Sequence, residues 1–300
     1  MIMFASAITD FGQYERCAVP GLDLVKESNS VLLAHRSIGS VFRNYNFILG
    51  EARKRGDLEA LVLIHQDAEL VDADFCETVR AQLRDPDVAL IGCAGSVGAR
   101  SIAWWEGGVS WAAFNHRFEE FHGGDLEAMT YNRSRALPNV APGEVDSIDG
   151  FVMVLSPWAV HEVEFDETMG DLHGYDFDVC CQVRAAGKKV VTADFRAIHH
   201  HSLEVISDPG GWKDSYIRMI EKWEGKLPNV RLPENLKMHS LRSEADAAFN
   251  RARVNIYTHK LDALEELVRD METSTSWRVT RPFRAIGRLL RRPRRHKQTI

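Results

Sequence analysis

The residues best suited to chemistry are an acid and several histidines that follow apolar runs. His65, Gln66 and Asp67 come directly after the apolar run 60–64, and a histidine triplet follows the apolar run that begins near residue 190. Carboxylate oxygen and imidazole nitrogen together suit Mn²⁺, Mg²⁺ or Zn²⁺. Capping of a following helix is the simpler role for such an acid, but the joint placement favours a metal. The predicted metal ligands are Asp67, His199, His200 and His201.

Two further segments carry carboxylates in positions that suit catalysis or capping. Asp176 and Asp178 lie in the first turn of a predicted helix, where acids also favour the positive end of the helix dipole. Residues two apart point in different directions, so at most one of them can serve as a base in a cleft. Asp149 begins an Asp-Gly turn into an apolar run, which is either a simple turn or a carboxylate aimed at a bound polyol.

The first hundred residues alternate apolar runs with helix-like stretches, which predicts βαβ units and a parallel sheet. In such sheets ligands bind outside the carboxyl ends of the strands, where His65, Gln66 and Asp67 are expected to lie. We therefore predict an α/β fold. The predicted strands cover 2–8, 30–35, 60–65 and 88–95, and the predicted helices 40–55 and 72–84.

The middle of the chain has a different pattern. Residues 96–148 mix Gly, Asn, Pro and aromatic residues with little periodicity, which indicates a loop-rich cleft wall. Trp104, Trp105 and Trp111 would offer flat faces to acceptor sugars there, or else belong to the core. Beyond this segment we predict a strand at 150–156, a helix at 174–187 that ends at Gly187, and one strand at 188–202 that runs into the histidines of the same sheet.

The C-terminal part is polar and helical. Leu261, Leu264, Val268 and Met271 are spaced as a short amphipathic or coiled-coil seam within residues 243–272, which a partner helix, a second copy or the body must cover. Residues 278–297 interleave apolar residues with arginine, which is typical of a helix at a lipid surface. These apolar residues are Phe283, Ile286, Leu289 and Leu290.

The charge distribution separates the tail from the body. Residues 278–300 hold nine basic residues and no acid, which leaves 28 basic and 43 acidic residues in the remainder. An acidic body disfavours nucleic acid as a partner, while the basic tail suits an anionic membrane surface. The five cysteines have no CxxC spacing, and a reducing, cytoplasmic setting fits them.

Several enzyme classes are excluded by motif. The chain has no P-loop, no GxGxxG after the first strand and no GxSxG, which argues against a Walker NTPase, a simple dehydrogenase and an α/β-hydrolase. It also has no run of 18 apolar residues that would predict a membrane-spanning helix.

Together the motifs resemble the GT-A glycosyltransferases of family 2. The most specific stretch is 165-FDETMGDLHGYDFDVCCQVRAAGKKV-190, and the HQD triplet is similar to a branch of that family in which HQD replaces DxD. The resemblance implies a Rossmann-like mixed sheet flanked by helices, with a C-terminal helical extension. The implied domains are 1–225 for the transferase, 226–275 for the amphipathic extension and 276–300 for the basic tail.

The resemblance also implies roles for individual residues. Asp67 and one of the three histidines would hold the metal, and Asp176 would be the catalytic base. The implied donor-binding residues are Asp10, Arg36, His65, Gln66, Asp67 and Asp149. Two departures from the pattern stand out, because His65 replaces the first Asp of DxD and Tyr175 replaces the usual Glu beside the base.

The implied function is an inverting transfer that uses Mn²⁺ or Mg²⁺. A sugar would move from a nucleotide-diphospho-sugar to a glycan or lipid-linked acceptor, in bacterial surface polysaccharide synthesis at the inner face of the membrane. Two alternatives remain open from the residues alone. One is a metal-dependent hydrolase built on Asp67 and the histidines, and the other is a non-enzymatic module that binds its partner through the basic tail.

Overall fold

The fold is known from a computed structural model, which describes residues 1–117, 125–127, 142–200, 208–231 and 234–280. The chain divides into two compact units, Met1–Glu244 and Ala245–Ile300. The predicted domain boundaries near 225 and 275 stay predictions. No helix in the described part of the chain is long and apolar enough to cross a membrane.

A seven-stranded mixed sheet forms the centre of the first unit, in the order β10-β13-β5-β12-β3-β1-β2. Strand β3 is fully buried because every residue of its ALVLI sequence is apolar, and both faces of the sheet are covered. Strand β12 runs antiparallel between β3 and β5. The strands of this sheet are β1 (Ile2–Ile8), β2 (Val31–Arg36), β3 (Ala60–Ile64), β5 (Val88–Gly92), β10 (Glu144–Val145), β12 (Val152–Leu155) and β13 (Lys189–Thr192).

Two small sheets lie beside the main one. The first has the order β4-β14-β8-β9 and the second the order β11-β6-β7. Residues 96–148 therefore hold more strands than their sequence predicts, because short strands without alternation leave no periodic signal. The strands are β4 (Ala68–Leu70), β6 (Ala94–Val97), β7 (Val109–Ala112), β8 (Phe114–Arg117), β9 (Asp125–Glu127), β11 (Ser147–Ile148) and β14 (Ala197–His199).

The prediction of one strand over 188–202 is wrong, because this segment contains two strands in different sheets. Strand β13 belongs to the main sheet, whereas β14 belongs to the sheet that contains β4. The chain turns between them at Arg196, whose φ of 43° lies in the left-handed region. Asp67 and His199 therefore meet across a small sheet, and not at two strand ends of one large sheet.

Helices cover both faces of the main sheet. Most begin at a side-chain cap: Asp10 accepts a hydrogen bond from Gln13 N, and Ser40 accepts one from Arg43 N. Helix α7 is long and highly exposed from residue 245 onward. The helices are α1 (Phe11–Val25), α2 (Val41–Ala52), α3 (Phe75–Gln82), α4 (Pro157–Glu162), α5 (Tyr175–Ala185), α6 (Pro209–Trp223) and α7 (Glu234–Thr273).

Candidate active site

Three side chains gather where β3 ends and β14 ends. The ligand atoms of His65, Asp67 and His199 all lie within 4.8 Å of one another. His199 Nε2 is 3.6 Å from Asp67 Oδ1, and His65 Nδ1 is 3.9 Å from the same oxygen. We call these three residues the HDH cluster.

Backbone pairing explains why Asp67 and His199 meet. Strand β4 begins directly after Asp67, and it pairs antiparallel with β14 so that Ala68 lies opposite His199. His200 N donates a hydrogen bond of 2.7 Å to the Asp67 carbonyl, which holds the two chain segments together beyond the strands. On the other side, His65 N donates to Phe151 O and continues the β3–β12 ladder. Backbone hydrogen bonds therefore fix the positions of the chain segments that carry the HDH cluster.

His199 is also fixed by packing. Its ring stacks on Phe151 with centroids 4.5 Å apart and planes 5° apart. Burial lowers the pKa of His199, but the hydrogen bond and negative charge of Asp67 outweigh it, so the pKa is raised. Burial likewise opposes ionisation of Asp67, yet the two histidines hold its pKa below the ordinary value. Asp67 therefore stays a carboxylate.

The neighbouring histidine points elsewhere. His200 Nε2 lies 2.7 Å from Glu69 Oε2, and Arg117 is 3.5 Å from the same carboxylate oxygen. Of the predicted histidines, the structure thus brings His199 to Asp67 and turns His200 to Glu69. His201 lies outside the described residues.

His65 is held from its other side by a tyrosine. Its Nε2 is 2.6 Å from the hydroxyl of Tyr175, the first residue of helix α5. The sequence predicts His65 as a donor-binding residue and not as a metal ligand. A histidine two positions before a metal-binding acid was the available signal, although the two residues lie in a turn, in which Ala68 N donates to His65 O, and not in an extended segment.

Asp176 follows Tyr175 in helix α5, and the negative charge of Asp149 acts on both Asp176 and His199. Its carboxylate accepts hydrogen bonds from the backbone N–H groups of Phe177 and Gly150. Burial and the negative charge of Asp149 raise the pKa of Asp176 to about 7. A carboxyl with that pKa is suited to accept a proton near neutral pH.

Asp149 has both of its carboxylate oxygens engaged. Trp104 Nε1 donates to one oxygen at 2.8 Å, and Phe151 N donates to the other at 3.1 Å. Trp104 is 2% exposed, so this member of the tryptophan set belongs to the core and orients Asp149. Trp105 is partly exposed and stacks with Trp212 of α6 at 6.3 Å. Trp111 lies in β7 and is also partly exposed.

Asp178 plays a structural part. Its side chain is 1% exposed and accepts from Lys222 at 2.8 Å and from Trp223 Nε1 at 2.6 Å. Both partners belong to α6, so Asp178 ties α5 to α6. The expectation that only one of the two acids faces the cleft agrees with this geometry, since Asp178 is committed to α6.

The remaining predicted donor-binding residues lie around the start of α1. Gln66 Oε1 accepts from Thr9 N at 2.8 Å and from Asp10 N at 3.0 Å, so Gln66 organises the turn that contains Asp10. Asp10 is exposed and caps α1. Arg36 ends β2, and its guanidinium lies 4.8 Å from the centre of the Phe11 ring. The result is an open surface with a carboxylate, a cation and an aromatic ring.

The HDH cluster fits a divalent cation. Neighbouring ligand atoms that are each about 2.0–2.2 Å from one metal ion lie roughly 3–4 Å apart, which matches the 3.6 Å and 3.9 Å that separate the two imidazoles from Asp67. Two imidazoles and one carboxylate form a donor set that suits Mn²⁺, Zn²⁺ and similar ions. Asp67 and His199, two of the predicted ligands, are neighbours in the structure, and His65 lies beside them.

Comparison with known proteins identifies the family. A model described as "Glycosyltransferase like family" matches residues 10–208. The streptomycin biosynthesis protein StrF of Streptomyces griseus is 24% identical over 228 residues, which cover 75% of each protein. The crystal structure of GalNAc-T7 with UDP, GalNAc and Mn²⁺ is similar with a TM-score of 0.53 and 10% identity, which shows a shared fold.

That match covers 81% of this chain and 54% of the GalNAc-T7 chain, so the protein spans about half of that structure. The family match favours the transferase over the hydrolase and the binding module. Because it includes about two thirds of the residues, the protein belongs to the glycosyltransferase-like family, has the GT-A fold and is a glycosyltransferase.

Proposed function

We propose that the protein transfers a sugar from a nucleotide-diphospho-sugar to an acceptor hydroxyl, with inversion at the anomeric carbon. One observation carries the proposal. The HDH cluster and Asp176 are connected through Tyr175, which contacts His65 and directly precedes Asp176 in helix α5, and Asp149 acts electrostatically on both His199 and Asp176. A cation site together with a carboxyl whose pKa is about 7 provides for both the leaving group and the attacking group.

In this proposal the HDH cluster holds the divalent cation and thereby the donor diphosphate. A bound Mn²⁺ or Mg²⁺ neutralises negative charge on a leaving diphosphate. His65, Asp67 and His199 place one carboxylate charge and two imidazoles at the site, and the stacking of His199 on Phe151 keeps its ring oriented. GalNAc-T7, whose structure contains UDP and Mn²⁺, supports this assignment through its shared fold.

Asp176 acts as the base. Its carboxylate takes the proton of the acceptor hydroxyl while the hydroxyl oxygen bonds to the anomeric carbon and the bond to the diphosphate oxygen breaks. We propose no covalent sugar intermediate: Asp176 is assigned as the base, and Asp149, held by Trp104 and Phe151, keeps lone pairs that can accept a hydrogen bond from the donor sugar. A single displacement inverts the anomeric configuration, and Asp149 serves to orient the donor sugar.

The surface at the start of α1 suits the nucleoside part of the donor. Phe11 offers a ring face for a base, while Asp10 and Arg36 offer an acceptor and donors for base and ribose. Gln66 contributes indirectly, because its side chain fixes the Asp10 backbone. His65 reaches the donor through the cation.

The acceptor is proposed to bind on the side of Trp105, whose ring is partly exposed beside Trp212. Aromatic faces of this kind pack against sugar rings, and a glycan or lipid-linked acceptor of a bacterial surface polysaccharide fits them. StrF is named for streptomycin biosynthesis, which favours a small glycosylated molecule as the second candidate acceptor.

The proposed location is the cytoplasmic face of the membrane. Basic residues near an anionic surface contribute about 1 kcal/mol each, and the tail 278–297 carries nine of them. Most of this tail lies outside the described residues. Nucleic acid is not proposed as a partner, because the rest of the chain is acidic.

A donor screen tests the proposed function. The full-length protein is incubated with Mn²⁺ and a panel of nucleotide-sugars, with and without glycan acceptors, and release of nucleoside diphosphate is measured. We expect one donor to be consumed and NMR of the product to show inverted anomeric configuration. A retained configuration would overturn the single displacement, and free sugar as the only product with every acceptor would favour the hydrolase.

A further inference from the structure

We propose that Tyr175 is a positioning residue for His65 and selects the ring nitrogen that faces the metal. This inference rests on the metal site of the proposed function. The Tyr175 hydroxyl is 2.6 Å from His65 Nε2, while His65 Nδ1 is the nitrogen that faces Asp67. One ring nitrogen of His65 thus contacts the Tyr175 hydroxyl, and the other faces the proposed cation site.

The Tyr175 hydroxyl is held in place by a tight aromatic environment. The residue is 6% exposed, and its ring makes edge contacts with Phe42 and Tyr45. It also lies directly over Gly150, where an added Cβ would be 2.3 Å from the hydroxyl oxygen. The close approach requires glycine at this position, so the sequence makes room for the phenol.

The chemistry of imidazole turns this contact into a choice of tautomer. A neutral histidine has one N–H donor and one nitrogen with a lone pair, and only the second can bind a metal. If Nε2–H donates to the Tyr175 oxygen, Nδ1 presents its lone pair beside Asp67. Histidines that bind metals almost always donate their other N–H in this way, and loss of such a partner weakens metal binding by about 10–100-fold.

Tyr175→Phe tests the inference, because it removes the hydroxyl and keeps the ring. Calorimetric titration of the full-length protein with Mn²⁺ alone should show about 10–100-fold weaker binding in this variant. Tyr14→Phe is the matched control, since Tyr14 is a similarly buried tyrosine of helix α1 outside the HDH cluster. The control should bind Mn²⁺ like the wild type.

A second measurement does not depend on any variant folding well. NMR of the wild-type protein with ¹⁵N-labelled histidine and Zn²⁺ should show His65 coordinated through Nδ1 and protonated at Nε2. Coordination through Nε2, or wild-type affinity in Tyr175→Phe, would overturn this inference and leave the proposed function standing. Absence of any metal binding by the wild type would overturn both.

The second unit carries an independent inference about a partner. Helix α7 exposes six large apolar residues at alternating spacings of three and four, each of them 48–62% exposed. We define these residues as the α7 seam: Val254, Tyr257, Leu261, Leu264, Val268 and Met271.

We infer that the α7 seam pairs with the seam of a second copy of this chain in a parallel coiled coil. The spacing makes Val254, Leu261 and Val268 the a positions, and Tyr257, Leu264 and Met271 the d positions. Two of the three a positions, Val254 and Val268, are β-branched and Leu264 lies at d, and β-branched residues at a with Leu at d favour two parallel strands. In that arrangement Lys260 at position g faces Glu265 at position e of the other copy, a pair of opposite charges.

Sedimentation of the full chain tests the pairing. The wild type should form a dimer at micromolar concentration, and Leu264→Arg, at an exposed position, should be a monomer. Lys260→Glu should weaken the dimer, and Lys260→Glu combined with Glu265→Lys should restore it. A monomeric wild type, or a dimer that is indifferent to Leu264→Arg, would overturn the inference.

Discussion

Two pairs of acid and histidine lie on the β4–β14 ladder, and only one of them is assigned chemistry. The side chains of Asp67 and His199 are 22% and 13% exposed, and those of Glu69 and His200 are 21% and 18% exposed. Burial therefore does not distinguish the pairs. The difference is the third partner, since His65 adds a ligand nitrogen to the first pair and Arg117 adds a positive charge to the second.

This difference has a chemical consequence. Glu69 accepts from both His200 and Arg117, so its charge is already balanced by the protein. Asp67 is surrounded by imidazoles, which can bind a cation when neutral. Helix α5 repeats the contrast, because Asp178 is neutralised by Lys222 whereas Asp176 has its pKa raised to about 7 by burial and by Asp149.

The difference between Asp176 and Asp178 on helix α5 predicts the largest single effect on activity. Asp176→Asn should lower kcat by about 10²–10⁴-fold, the usual contribution of a general base, with little change in the free energy of unfolding. Asp178→Asn should instead destabilise the fold by about 1–3 kcal/mol, because it weakens buried hydrogen bonds to a charged partner. Steady-state kinetics and urea unfolding measure the two quantities. Equal loss of kcat in stable forms of both variants would contradict the assignment.

The adjacent residues His199 and His200 predict a smaller effect, in which two neighbouring substitutions should differ in metal binding. His199→Ala removes a proposed metal ligand and should weaken Mn²⁺ binding by at least about 10–100-fold, the cost of losing even a supporting group. His200→Ala should leave Mn²⁺ binding unchanged and cost about 1 kcal/mol of unfolding free energy, because Glu69 keeps Arg117. Calorimetry with Mn²⁺ and thermal unfolding distinguish these results. Weaker metal binding in His200→Ala would mean that the Glu69–His200 pair also affects the metal site.

The pH profile tests the environment of Asp176. Because the base works as a carboxylate, kcat/KM should fall about tenfold per pH unit below the pKa of Asp176, which burial and Asp149 raise to about 7 and which a bound divalent cation lowers from that value. Asp149→Asn removes a neighbouring negative charge, so the fall should begin at lower pH in that variant. A profile that stays flat down to pH 5 would place the base in an ordinary, solvated environment.

Much of the sheet could be predicted from sequence. The strands predicted at 2–8, 30–35 and 60–65 correspond to β1, β2 and β3, and the helices predicted at 40–55 and 72–84 correspond to α2 and α3. The strand predicted at 88–95 divides between β5 of the main sheet and β6 of a small sheet, and helix α1 was not predicted. Helix α5 was equally clear, since Gly187 adopts a φ of 74° just beyond its end. The GT-A fold followed from the order of these elements together with the family resemblance.

The details of the site could not be predicted in the same way. The turn at Arg196 places His199 in another sheet, and nothing in the apolar pattern of 188–199 marks that change. The contact of His65 with Tyr175 joins residues 110 positions apart, which periodicity does not report. The direction of His200 depends on Glu69, a partner that becomes visible only when β4 and β14 pair.

The most direct test of the account is a calorimetric titration of nucleoside diphosphates in the presence of Mn²⁺. Wild type, Asp67→Ala and Glu69→Ala are compared, since the two acids are almost equally exposed and lie on the same ladder. We expect that one nucleotide binds the wild type only with metal, that Asp67→Ala abolishes this binding, and that Glu69→Ala retains it. Metal-dependent binding that survives in Asp67→Ala, or no nucleotide binding by the wild type, would contradict the proposed metal and donor site.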